Sequence, residues 1–80
     1  MERFIKDKFY LRDGMFAREE ARQGIRHLIK ISDRTENSVT VKTNCFENMG
    51  MVEREIKIDD NGNEWFQYDI NETVSAAVKA

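Results

Sequence analysis

Two hairpin-like stretches of alternating apolar and polar residues, with one short run of helix formers ahead of them, predict a small α+β domain. The expected architecture is an antiparallel sheet of four or five strands with one short helix packed on it. An SH3-like open β-barrel is the alternative arrangement. The 80 residues suffice for a single domain spanning 1–80. At this size roughly 60% of the unfolded chain's surface is buried, so the core is thin and a partner or a second copy of the chain would add to it.

The helix is expected over 15–23, where Phe16, Ala21, Ile25 and Leu28 continue one apolar stripe. Asp13 is the candidate cap and Gly24 the candidate stop. Ahead of it, Phe4, Ile5, Phe9, Tyr10 and Leu11 read as a first strand. From residue 27 the period changes to two: Ile29 and Ile31, then Val39, Val41, Thr43 and Cys45, define two strands with one apolar face each. A loop of Thr35, Glu36 and Asn37 sets Ile31 opposite Val41, Ile29 opposite Thr43 and Lys30 opposite Lys42.

The second hairpin joins 52–58 to 64–70 around Asn61-Gly62. A two-residue loop would set Ile56 against Gln67. A three-residue loop, Asp60-Asn61-Gly62 with Gly62 left-handed, instead pairs Ile56 with Phe66 and Val52 with Ile70. The core face is then Val52, Ile56, Ile58, Phe66, Tyr68 and Ile70, with Trp65 on the opposite face beside Glu55 and Lys57. The tail 71–80 fits either a short helix capped by Asn71 or Thr73 or a last strand with Val74, Ala76 and Val78 in phase.

Composition narrows the function. One cysteine, Cys45, excludes an internal disulfide, and with one histidine, His27, it excludes the usual Cys/His zinc sites; a reducing cytoplasm is the expected setting. The chain has no run of about 18 apolar residues to span a membrane, and the N-terminal residues lack the apolar segment of a signal peptide. Proline is absent, which argues against a stiff linker.

No cofactor motif is present. The loop 59–64 fails as a calcium site, because aligning Gly62 with the EF-hand glycine puts Lys57 and Tyr68 where carboxylates are required. There is no Gly-x-Ser-x-Gly elbow and no glycine-rich phosphate loop, and Cys45 at an apolar-phase position reads as an inert thiol, so an enzyme is not expected.

Two surfaces remain. Residues 47–80 hold three Lys/Arg against eight Asp/Glu, net −5, whereas residues 1–46 are net +3 with ten against seven. On the second hairpin, Trp65 flanked by Glu53, Glu55, Lys57, Glu64 and Asp69 has the make-up of a protein-binding surface with an aromatic anchor. Arg26, Lys30, Arg34 and Lys42 form the alternative, a basic strip on the first hairpin suited to single-stranded nucleic acid.

The residues Asp33-Arg34-Thr35, Val39-Thr40-Val41, 54–58, 60–64 and 76–80 carry a resemblance to small β-rich proteins of phages and mobile elements of gut-type bacteria, over about 31–80. It implies a compact module without a catalytic residue to carry over, acting on a host protein as inhibitors of bacterial defence systems do, in the manner of an anti-CRISPR. The expectation is therefore a non-enzymatic protein-binding module. A nucleic-acid-binding domain and a structural or subunit-interface domain are the alternatives.

Overall fold

The computed structural model describes residues 1–25, 28–43 and 50–79. In chain order it contains β1 (Phe9–Gly14), α1 (Met15–Arg22), β2 (Leu28–Arg34), β3 (Ser38–Thr43), β4 (Val52–Glu55), β5 (Lys57–Ile58), β6 (Glu64–Asp69) and β7 (Glu72–Lys79). The strands make one antiparallel sheet in the order β4-β3-β2-β1-β7-β6-β5. Seven strands replace the four or five expected, for two reasons. The ambiguous tail is a full strand, β7, and the expected strand 52–58 is divided at Ile56 into β4 and β5.

That division shapes the molecule. β4 turns away from its hairpin partner to pair with β3, Val52 opposite Val41 and Glu55 opposite Ser38, and the Ile56 N–H extends this pairing to the Asn37 carbonyl. β5 pairs with β6. One stretch of chain thus forms both edges of the sheet, which curls until β4 packs on β6, while no ladder joins those two among the described residues.

The registers follow the expected turn chemistry. Lys57 lies opposite Trp65 and Ile58 opposite Glu64, the register of a three-residue loop, and Gly62 has φ 80°. The Asp59 carboxylate accepts the N–H groups of Asn61 and Asn63, so turn formation accounts for this acidic loop. The expected pairs Ile56–Phe66 and Val52–Ile70 are not made, because 52–55 pairs with β3 instead. Ile58 and Ile70, expected in the core, are 62% and 90% exposed: Ile58 ends its two-residue strand, and Ile70 sits at the tip of the turn closed by Asp69 and Glu72.

In the first hairpin Ile29 faces Thr43, Lys30 faces Lys42 and Ile31 faces Val41, as predicted. Beyond Ile31 the register slips by one, so that Asp33 meets Thr40 and Arg34 meets Val39. This bulge exchanges the two faces: Asp33 points out and Arg34 takes the inward phase of Ile29 and Ile31.

Helix α1 ends as predicted. Gly24, φ 80°, donates to Ala21 O and Ile25 N to Glu20 O, the paired bonds of a Schellman cap. Its start differs: Asp13 is not the cap but a β1 residue opposite Thr73, with its carboxylate on Arg18 at 3.1 Å. The helix packs on β1 and β7 and buries no residue completely, and Phe16 stays 56% exposed. The reason is topological. α1 links β1 to its own neighbour β2, so it stays at the rim of the sheet instead of crossing its face.

The first strand starts at Phe9, later than expected, and Ile5 is exposed. Phe4 is nonetheless a core residue, 2% exposed, with ring centroids 5.0 Å from Tyr10 and 5.2 Å from Phe66. It joins Ile29, Ile31, Val39, Val41, Tyr68, Val74 and Ala76 in one buried cluster, against which Val52 and Ile56 pack.

Candidate functional site

Alternation along β6 buries Glu64, Phe66 and Tyr68 and turns Trp65 and Gln67 outward. Trp65 is half-buried on the outer face, between Lys57 on β5 and Ser75 on β7. The Lys57 ammonium lies 5.3 Å from the indole centroid, a cation–π contact of about 0.5–1 kcal/mol at such a site. Glu53, Glu55 and Lys57 alternate outward with Val52, Arg54 and Ile56 turned in. The outer face therefore sets an ammonium group against an aromatic ring on β5 and β6, while Glu53 and Glu55 are exposed on β4, opposite Thr40 and Ser38 of β3.

Two residues expected in this group stand elsewhere. Glu64 is 3% exposed, because it shares the inward phase of Phe66 and Tyr68. Its carboxylate accepts two bonds from the Arg34 guanidinium, 2.6 and 2.9 Å, and one from the Phe4 N–H at 2.7 Å. Asp69 is exposed, but its carboxylate accepts the Asn71 N–H and so holds the β6–β7 turn.

The basic strip is dispersed by the same bulge and pair. Arg34, turned inward, is taken up by Glu64 and by the Phe4 carbonyl at 2.8 Å. Lys30 and Lys42 remain on the outer face, Lys30 within 3.9 Å of Asp7. Arg26, together with His27 and Cys45, lies outside the described residues.

Sequence reasoning missed a second cluster, at the rim under α1. Arg12, 6% exposed at its side chain, binds Glu72 on β7 at 2.9 Å and Glu20 on α1 at 3.0 Å, and its guanidinium carbon lies 5.5 Å from the Tyr68 ring centroid. The Glu72 side chain is 2% exposed. The Ala17 N–H in the first turn of α1 also favours the ionised form of this carboxylate. Arg54 reaches the same place, with Nε 3.4 Å from the Tyr68 carbonyl. Phe16, Asp69 and these residues line a cleft of about 330 Å³. The overlooked signal is phase: Glu72 alternates with Val74 and Ala76, as Glu64 does with Phe66 and Tyr68.

The two buried carboxylates are held in opposite ways. For Glu64, burial is the largest influence and acts upward, but the hydrogen bonds of Arg34 and Phe4 and the charges of Arg34 and Arg3 together hold it below the ordinary value. For Glu72, burial dominates and raises it. Asp69 and Glu20 add to the rise, and Arg12 and the Ala17 N–H oppose it. A carboxyl raised in the folded state contributes stability in its protonated form, below the ordinary value of 4.5, and loses that contribution as pH climbs through the raised value. Glu72→Gln should therefore flatten the stability profile just above the ordinary carboxylate range, read as urea midpoints over a pH series. A profile as steep as that of the parent protein would contradict this assignment.

Comparison with protein-family models, with curated proteins and with solved structures finds no match to this chain. Among the described residues no helix is long and apolar enough to cross a membrane.

Proposed function

We propose that the chain is a non-enzymatic protein-binding module whose contact surface is the outer face around Trp65. The observation that carries this reading is the indole itself: a large ring turned away from the core and propped by Lys57, with Glu53 and Glu55 exposed on β4. Such a ring offers apolar area at little entropic cost, and charges at its rim select the partner. The partner side would then present an apolar pocket with basic groups around it. The resemblance to phage and mobile-element proteins supports a host protein, and a defence protein in particular, as that partner. Glu64 and Asp69 do not take part. With Arg34 engaged by Glu64, nucleic-acid binding through the first hairpin is the weaker alternative.

The test is capture from bacterial lysate with the parent protein, Trp65→Ala, Glu55→Lys and the control Ile70→Ala at a 90% exposed turn tip. Each variant is first checked for a native circular dichroism spectrum. Trp65→Ala and Glu55→Lys should lose the same captured protein, by about tenfold or more for the tryptophan, while Ile70→Ala retains it. Equal recovery by all four proteins would rule out this surface.

A further inference from the structure

We infer that Asn61 is a site of spontaneous covalent modification, cyclising onto the Gly62 nitrogen with loss of ammonia, and that the product releases the N-terminal segment from the turn. Asn61 is the one asparagine of six that precedes a glycine. It is exposed, and Gly62 has no Cβ to obstruct the approach of its nitrogen to the Asn61 Cγ. A bond forms between those two atoms while the Cγ–Nδ2 bond breaks. The Gly62 N–H proton passes through solvent to the departing nitrogen, which leaves as ammonia. Water then opens the five-membered imide. Attack at Cγ gives an aspartyl residue. Attack at the main-chain carbonyl of Asn61 gives an isoaspartyl residue, whose main chain runs through Cβ and is one carbon longer. Either product adds a negative charge beside Asp59 and Asp60.

The turn sets the rate. The Gly62 N–H, which the reaction consumes, is donated to the Asp59 carbonyl at 3.0 Å, and the Asp59 carboxylate holds the N–H groups of Asn61 and Asn63 at 2.8 and 2.9 Å. Cyclisation therefore proceeds from the opened turn. The N-terminal segment holds the turn shut. The Glu2 N–H donates to Asn63 Oδ1 at 2.7 Å and the Glu64 N–H to the Glu2 carbonyl at 2.9 Å. The Met1 side chain lies against Gly62, its Cγ and Sδ 2.7 Å from where a Cβ would stand. The opening that frees the Gly62 nitrogen loosens these contacts, so modification and the docking of residues 1–3 oppose each other. In the isoaspartyl product the extra main-chain carbon falls in a three-residue loop whose length sets the register of β5 on β6. Asn63 and Glu64 then shift relative to Asp59 and lose Glu2. Nothing in this sequence of steps involves Trp65, so the inference stands apart from the contact surface proposed above.

The test incubates the full chain beside a blocked peptide of residues 57–65 in mildly alkaline buffer. Peptide mapping follows both, with isoaspartyl-specific methylation to count the longer product. Conversion is expected at Asn61 in each, slower in the chain by about tenfold or more because hydrogen bonds must open first, while Asn63 and Asn71 stay intact. Asp59→Ala should bring the chain's rate toward that of the peptide, and Asn61→Gln, whose longer side chain closes a less favourable ring, should suppress the reaction. Independently of any variant, hydrogen exchange of the Gly62 amide in the parent protein reports the same opening, so its protection should match the ratio of the two rates. The isoaspartyl chain, separated by ion exchange, should lose amide protection at Phe4 and Glu64 and keep it at Gly24, whose bond to Ala21 is remote from the turn. An Asn61 still intact when the Gly62 protection calls for full conversion, equal conversion at Asn63 or Asn71, a chain as fast as the peptide, or a modified chain with Glu64 still protected would overturn the assignment.

Discussion

Glu64→Ala is expected to leave the chain largely unfolded at room temperature, through a loss of about 3–5 kcal/mol, the cost of removing one partner from a buried ion pair. The pair is well enclosed, its side chains 17% and 4% exposed for Arg34 and Glu64. Removing the carboxylate strands the Arg34 guanidinium and takes the acceptor from the Phe4 N–H, which anchors the N-terminal segment over the core. A domain of 80 residues holds only a few kcal/mol in reserve. Glu64→Gln, which keeps the shape, should lose less. Arg34→Met with Glu64→Leu should recover much of the stability, because apolar replacement removes the desolvation cost along with the attraction. Urea unfolding followed by Trp65 fluorescence measures all three against the parent protein, and a loss under about 1 kcal/mol for Glu64→Ala would show that the pair does not close the core. The pH dependence has a definite sign. With the folded-state value held below the ordinary 4.5, the Glu64 contribution is complete above that value and is lost as pH falls through the lowered one, so Glu64→Gln should flatten the acid limb.

The parts of this fold that were legible in the sequence are those governed by period two and by turn chemistry. The Ile31–Val41 and Ile29–Thr43 pairs, the left-handed Gly62, the outward Trp65 and the helical stop at Gly24 each follow from residues a few positions apart. What escaped depends on contacts between distant segments. Nothing local says that β4 leaves β5's partner for β3 at Ile56, because both arrangements bury Val52 and Ile56. The slip beyond Ile31 is likewise invisible locally, yet it decides whether Arg34 serves a basic surface or a buried carboxylate. The candidate surface was readable because an outward aromatic breaks the polar pattern of its face. The rim cleft was readable only in part: Glu64 and Glu72 sit in apolar phase, which marks them as inward charges, but their partners Arg34 and Arg12 come from other strands.

The second large effect is expected at Gly14, where β1 hands the chain to α1. Its φ of 152° with ψ of −178° lies in a region that is essentially reserved for glycine, at about 1–3 kcal/mol for any other residue. A Cβ there would stand 2.3 Å from the Asn71 carbonyl oxygen and 3.0 Å from the Glu72 Cγ, and the nearer atom is backbone, so relief requires moving the start of β7. Gly14→Ala should therefore cost about 3 kcal/mol or more, strain and displacement together. Gly24→Ala is the matched control: φ is 80° and the added methyl meets nothing within 4 Å, so only the left-handed penalty of about 1–2 kcal/mol applies. The two variants also differ in place. A shift at Asn71 and Glu72 pulls the carboxylate away from Arg12 and from the Ala17 N–H, so Gly14→Ala should speed hydrogen exchange at Ala17 even in the fraction that folds, whereas Gly24→Ala should leave that amide protected. Equal losses in the two variants, or an Ala17 amide unchanged in Gly14→Ala, would mean that the close approach of β1 to β7 does not hold the rim cluster together.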